Sequence, residues 1–230
     1  HKWLYAMYLL VTARKGISSL QLAKEIGITQ KSAWFVLQRL REACSGELPM
    51  LQGIIEVDEA YIGGKEKNKH ADKKLRAGRG TVGKTAVLGF RERGGKGRTV
   101  AIPVASTDAE TLQREVRRHV QAGSTVYTDT HAGYAGLSEQ SYQHETVNHG
   151  AGEYVRGDVS TNGVESVWAV MKRGIYGVYH HASKKHLARY VDEFAFRLSD
   201  GRVKRATLNR VDSMVAGAVG KRITYKALVS

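Results

Sequence analysis

Three acids and one lysine have the types and spacing that could do chemistry. Asp58 closes the apolar run "GIIEV", Asp129 closes "STVYT", and Glu165 follows Asn162 by three residues in "STNGVESVWAVMKRG". An aspartate at a strand end is by itself most often a turn residue. Two of them on one sheet converge on a single rim, and a glutamate in the first turn of a helix, where the helix dipole favours it, adds a third carboxylate. Three acids brought together repel one another unless a cation sits among them. Oxygen-only ligands with open positions suit Mg²⁺ or Mn²⁺. In a basic chain the matching substrate is a phosphodiester, where two ions roughly 4 Å apart activate a nucleophile and steady the leaving oxygen.

Lys172 lies seven residues beyond Glu165. That is nearly two helical turns, so both fall on one stripe about 10 Å apart. Val164, Trp168 and Met171 form a second, apolar stripe that anchors the same helix. Alone, Lys172 reads as a solvated helix face; beside Glu165 it reads as a phosphate contact. Arg173, Lys184, Lys185 and Arg189, with His180, His181 and His186, extend a positive track. In "HHASKKH", His180 and His181 would diverge on a helix, which favours a phosphate-facing cluster over a transition-metal site. Glu59 points to the opposite face of its strand from Asp58. His131 and His149 read as polar surface groups.

The chain that must position these residues has 230 residues, 42% of them hydrophobic, enough for a real core. Its 36 Lys and Arg outnumber 22 Asp and Glu, a net charge of +14 that points to a polyanionic partner. Cys44 is the single cysteine, which excludes an internal disulfide and argues against a cysteine zinc site. The expected location is the cytoplasm; no apolar run is long enough to span a bilayer. The chain starts at His1 rather than Met, as a fragment would.

An apolar periodic run from Lys2 to Arg14 predicts a helix. In "SSLQLAKEIGITQKSAWFVLQRLREA", Ser18 or Ser19 can cap a short helix, Gly27 suits a left-handed turn, and Thr29 can cap a second helix ending near Cys44. That is the layout of a helix-turn-helix, with Gln30, Lys31 and Ser32 at the exposed start of its second helix. "GELPM" reads as a linker. Beyond it come strands in "GIIEVDEAYIGG", "TAVLGFRER" and "RTVAIPVAS", an amphipathic helix in "DAETLQREVRRHVQAG", and a strand in "STVYTDTHAGY". Residues 63–84 carry eight Lys or Arg against two acids and read as a polar loop able to reach for phosphates. The expected organisation is an all-α helix-turn-helix over residues 1–46, an α/β domain with a mixed sheet and flanking helices over 50–200, and a helical C-terminal tail over 201–230.

"IIEVDEAYIGGK", "VYTDTHAGY", "NGVESVWAVMKRGIYGVYHH" and "HLARYVDEFAFR" resemble, in that order, the blocks of the DDE transposases of bacterial insertion sequences, more narrowly the ISXO-like group. Between Asp129 and Glu165 lie 35 residues, and between Glu165 and Lys172 lie six, as in the E-6-K signature of those enzymes. The resemblance implies a ribonuclease H-like fold, Asp58, Asp129 and Glu165 as the catalytic and metal-binding triad for two Mg²⁺ or Mn²⁺ ions, and Lys172 as a DNA contact. It further implies cleavage at element ends, attack of the freed 3′-hydroxyl on target DNA, and a homodimer or higher oligomer on DNA. Some members of the group use Asn in the third position, which leaves Asn162 open beside Glu165. Many also carry a cysteine-rich zinc ribbon upstream that this sequence lacks.

Two rivals stay within reach of the same residues: a non-catalytic helix-turn-helix regulator, and a ribonuclease H-like nuclease that cuts without joining. A third is set aside. "GRGTVGKT" places Gly78, Gly83, Lys84 and Thr85 in a P-loop pattern, yet a strand-like run follows where a P-loop needs a helix.

Overall fold

The computed structural model describes the chain except residues 47–48, 65–69, 76–79, 95–96, 154 and 200–204. Three helices open it, α1 (Lys2–Thr12), α2 (Ser19–Ile26) and α3 (Gln30–Cys44). Their ends fall where the capping residues stand. The Ser18 hydroxyl accepts the Gln21 amide at 3.1 Å, Thr29 accepts that of Ser32 at 3.2 Å, and Gly27 takes the left-handed conformation at φ 62°. Gln30, Lys31 and Ser32 are exposed in the first turn of α3.

The sheet has five strands in the order β3-β2-β1-β4-β5. Strands β1 (Ile54–Ile62), β2 (Thr85–Glu92) and β3 (Thr99–Val104) form an antiparallel meander. Helix α4 (Ala109–His119) then crosses to β4 (Thr125–Asp129), parallel to β1, and β5 (Gln143–Val147) lies parallel beyond it. This is the ribonuclease H-like mixed sheet with flanking helices. Strand β5 has no counterpart in the sequence reading, because it lies at the sheet edge and only its Val147 is buried. Strand β2 begins at Thr85, so a strand follows the P-loop-like stretch; Gly78 lies outside the described residues, as does much of the basic segment around it.

One face of the sheet packs Ile55, Val57, Leu88 and Phe90 on Leu112 and Val116 of α4. The other packs Ala60, Ile62 and Val87 against α5 (Asn162–Gly177) and α6 (Lys184–Ser199), through Val164, Trp168, Met171, Val191 and Phe194. The expected apolar stripe of α5 is therefore its buried face. His180 and His181 are not on a helix: they occupy the turn between α5 and α6, where His180 has φ 60°. After α6 come α7 (Thr207–Ala218) and α8 (Tyr225–Val229). Helix α7 folds back, adding Val211 and Met214 to the core formed by Ala6, Leu10, Leu22, Leu37 and Leu40 of α1 to α3.

Buried charge fastens α3 to α6. Glu193 meets Arg41 at 2.6 Å and Arg197 at 2.9 Å, and it accepts the Tyr179 hydroxyl at 2.6 Å; none of the three charged side chains is more than 2% exposed. Among the described residues, no helix is long and apolar enough to cross a membrane.

Candidate active site

The register of the sheet brings the two aspartates together. Strand β1 pairs with β4 at Ile54–Thr125, Ile55–Val126 and Glu56–Tyr127. Continuing that register two residues onward sets Asp58 beside Asp129, on neighbouring strands roughly 4.8 Å apart. Side chains two apart share a face. Tyr127 packs on Val159 and Ile54, and Glu56 reaches α5, so Asp58 and Asp129 both belong to the face that α5 covers.

Helix α5 lies over them. Its Trp168 Nε1 donates to Asp58 Oδ2 at 2.9 Å. The indole fits because residue 89, opposite Asp58 on β2, is glycine: a Cβ there would lie 2.4 Å from the ring. Glu165, one turn before Trp168, accepts the Thr161 hydroxyl at 2.9 Å and lies 3.5 Å from His149 Nδ1. Asp129 Oδ1 accepts the His131 amide at 2.9 Å.

Asp58 responds to the other two acids. Burial pushes the Asp58 carboxyl up to about 6; Asp129 and Glu165 push the same way, against hydrogen bonds from a backbone amide and Trp168. Glu59 faces the other side of the sheet, where the Tyr134 hydroxyl donates to it, and burial raises it to about 7. Glu59 is a hydrogen-bonded member of the α4 face rather than a fourth ligand.

A positioning device at the start of α5 was not legible in the sequence. Glu56, 2% exposed, accepts the Val164 amide at 2.9 Å and Arg93 Nε at 2.6 Å. Arg93 also donates to Ser160 O at 3.2 Å and to Asp158 O. A Cβ on Gly163 would stand 2.6 Å from Glu56 Oε2, so this glycine allows the approach. A buried acid from the sheet thus takes an unpaired amide of the helix that carries Glu165. The available signal was that Glu56 is an acid inside an apolar run, two residues before Asp58. His149, read from the sequence as a polar surface group, lies against Glu165 instead, a contact set by the loop after β5.

The other expected site residues lie apart from this cluster. Asn162 is exposed at the first position of α5. Lys172 and Arg173 are exposed farther along it, and His180, His181, Lys184 and Lys185 are exposed around the α5–α6 turn. Two members of the expected positive track are spent otherwise. Arg189 pairs with Glu42 at 3.0 Å, while His186 packs on Trp34 at 5.6 Å and is held below the usual histidine range by burial and by Arg189, Lys185 and Arg41.

Among the described residues, no three His, Cys, Asp or Glu side chains form a ready metal-binding group. The donor chemistry of Asp58, Asp129 and Glu165, all carboxylate oxygens, is nonetheless of the kind a hard divalent cation takes, and Asp58 feels both others as unfavourable charge.

A five-stranded ribonuclease H-like sheet with acids on its α5 face defines the class. The ISXO2-like transposase domain matches residues 50–199. The chain is also 32% identical over 205 residues to an uncharacterized protein in transposable element ISH50 of Halobacterium salinarum, covering 85% of this chain and 68% of that protein. The chain belongs to the ISXO2-like transposase family. Among solved structures it is similar to a simian T-cell lymphotropic virus intasome in complex with PP2A regulatory subunit B56 gamma (TM-score 0.35, 12% identity, 74% of this chain and 58% of that one). It is also similar to the Mos1 strand transfer complex (TM-score 0.30, 12% identity, 96% and 79%).

Proposed function

We propose that the chain cleaves DNA at the ends of an insertion sequence and joins them to target DNA. The observation that carries this is the placement of Asp58, Asp129 and Glu165 on one face, with Asp58 electrostatically coupled to the other two. Asp58, Asp129 and Glu165 would hold Mg²⁺ or Mn²⁺, two ions in the full reaction, which supply Lewis acidity and charge neutralisation to phosphodiester exchange. Trp168 orients Asp58, the Glu56–Arg93 pair fixes the start of α5, and Thr161 orients Glu165. Glu165 is favoured over Asn162 as the third residue because its charge acts on Asp58 and it lies one turn before Trp168, which donates to Asp58, whereas Asn162 is exposed at the first position of α5.

Lys172 and Arg173, about two turns beyond Glu165 on α5, with His180, His181, Lys184 and Lys185 past the helix end, would present donors to phosphates farther along the DNA. Gln30, Lys31 and Ser32 start the second helix of a helix-turn-helix and would reach base edges. In this reading residues 1–46 recognise DNA, residues 50–200 catalyse, and the C-terminal helices buttress the first three. Action on two ends fits a homodimer or higher oligomer on DNA, and the location in this reading is the cytoplasm.

The test is a labelled element-end duplex incubated with protein, Mg²⁺ and target plasmid. Nicked ends and joined products are expected, and both fall below detection in Asp58→Asn and Asp129→Asn while DNA affinity holds or rises, since a negative charge has been removed. Binding without nicking would make the chain a regulator; nicking without joining would make it a nuclease. Activity that survives Glu165→Gln but not Asn162→Ala would move the third position.

A further inference from the structure

The start of α3 is flanked by the C-terminal segment. Lys31 Nζ lies 4.7 Å from the ring centroid of Tyr225 on α8, and Tyr225 meets Trp34 and Phe35 edge-on at 6.4 and 6.0 Å. Four residues earlier, Lys221 donates to Glu42 O at 2.8 Å and Ser45 Oγ at 3.0 Å, capping the far end of α3. From residue 34 to residue 42 a helix rises about 12 Å, and four extended residues cover about 13 Å. The segment therefore runs along α3 as a strap seated at both ends. Thr224 accepts the Ala227 amide at 3.2 Å, and Leu228 is 1% exposed, so α8 is docked.

The strap's chemistry is one-sided. From Val219 to Ser230 there are three cations and no acid. Lys221 is used as the anchor, but Arg222 and Lys226 are exposed and make no ion pair among the described residues. On the opposite flank, Trp34 packs on His186, which sets the exposed Lys184 and Lys185 beside the same turn of α3. Cations thus bracket the α3 start on both sides.

We propose that this strap is a DNA-backbone contact, with Arg222 and Lys226 taking phosphates that flank the groove entered by α3. The proposal rests on the reading of α3 as a DNA-contacting helix. Tyr225 is a positioning residue, since its ring holds α8 against Lys31 and Trp34.

The experiment measures the full chain binding a labelled 30-base-pair duplex by fluorescence anisotropy over a series of salt concentrations. For Arg222→Ala with Lys226→Ala, the slope of log K against log salt should shrink by roughly 2, at about 0.9 per phosphate, with a loss of about tenfold or more at low salt. Arg222→Lys with Lys226→Arg should keep the slope, and an unchanged melting temperature for both pairs shows that the fold is intact. An unchanged slope, or tighter binding of the alanine pair as expected of a strap that only masks α3, overturns the proposal. Gln30→Glu places a repelling charge at the α3 start without touching Tyr225. If it weakens binding while the alanine pair does not, the strap proposal alone fails; if it also changes nothing, the reading of α3 fails with it.

Discussion

Glu193, at the seam between α3 and α6, and Asp58, on the α5 face of the sheet, are both carboxylates withdrawn from water, yet their ionisation moves in opposite directions. Burial pushes Glu193 up, but Arg197, Arg41 and the Tyr179 hydroxyl outweigh it and hold the group below the ordinary glutamate value. Asp58 is raised to about 6 by burial, and its charged neighbours Asp129 and Glu165 are of its own sign. At the seam, charge is cancelled inside the protein. On the sheet face it is left to be balanced from outside. The first arrangement fixes one body against another, and the second is the one we propose a bound cation would relieve.

Removing Glu193 should have the largest effect on stability. Glu193→Ala leaves two buried guanidinium groups facing each other, and denaturant unfolding should show a loss of about 3–5 kcal/mol. Asp58→Asn should go the other way in metal-free buffer. The folded carboxyl is raised, so at pH 7.5 its ionised form disfavours folding; the substitution should raise stability by about 1–2 kcal/mol, discounted for partial exposure. A loss at Asp58 as large as that at Glu193 would erase the distinction between the two regions.

Asp192 sharpens the comparison within the seam itself. Burial and Glu42 raise it to about 6, against Lys221 and Arg189. A raised acid binds its proton more tightly folded than unfolded, so stability falls as pH climbs from about 4 to about 6. Asp192→Asn should therefore gain on the order of 1 kcal/mol at pH 7.5 and nothing at pH 4, read as melting temperature against pH. A pH-independent gain would mean that Asp192 acts through packing rather than charge.

Much of the local structure was legible in the chain. Ser18, Gly27 and Thr29 stand at the ends of α2 and α3 as their chemistry requires, and the Val164, Trp168, Met171 spacing marked the buried face of α5. Strand β5 was hidden because an edge strand buries too little to leave an apolar pattern. Glu56 was hidden because its partners, Arg93 and the Val164 amide, lie 37 and 108 residues away. The same distance in sequence conceals the Arg41–Glu193 pair, which are 152 residues apart.

By itself the sequence determined which segments are helix and strand in the parts that bury an apolar stripe, and which acids end up at strand ends. Periodicity and capping are local physics, decided within a few residues of chain. Only the tertiary structure decided that β4 would lie beside β1 in a register aligning Asp58 with Asp129, that α5 would carry Glu165 over them, and that α7 and α8 would return to α1 and α3. Those outcomes depend on burial and charge shared between distant segments, and no single segment encodes both sides of such a contact.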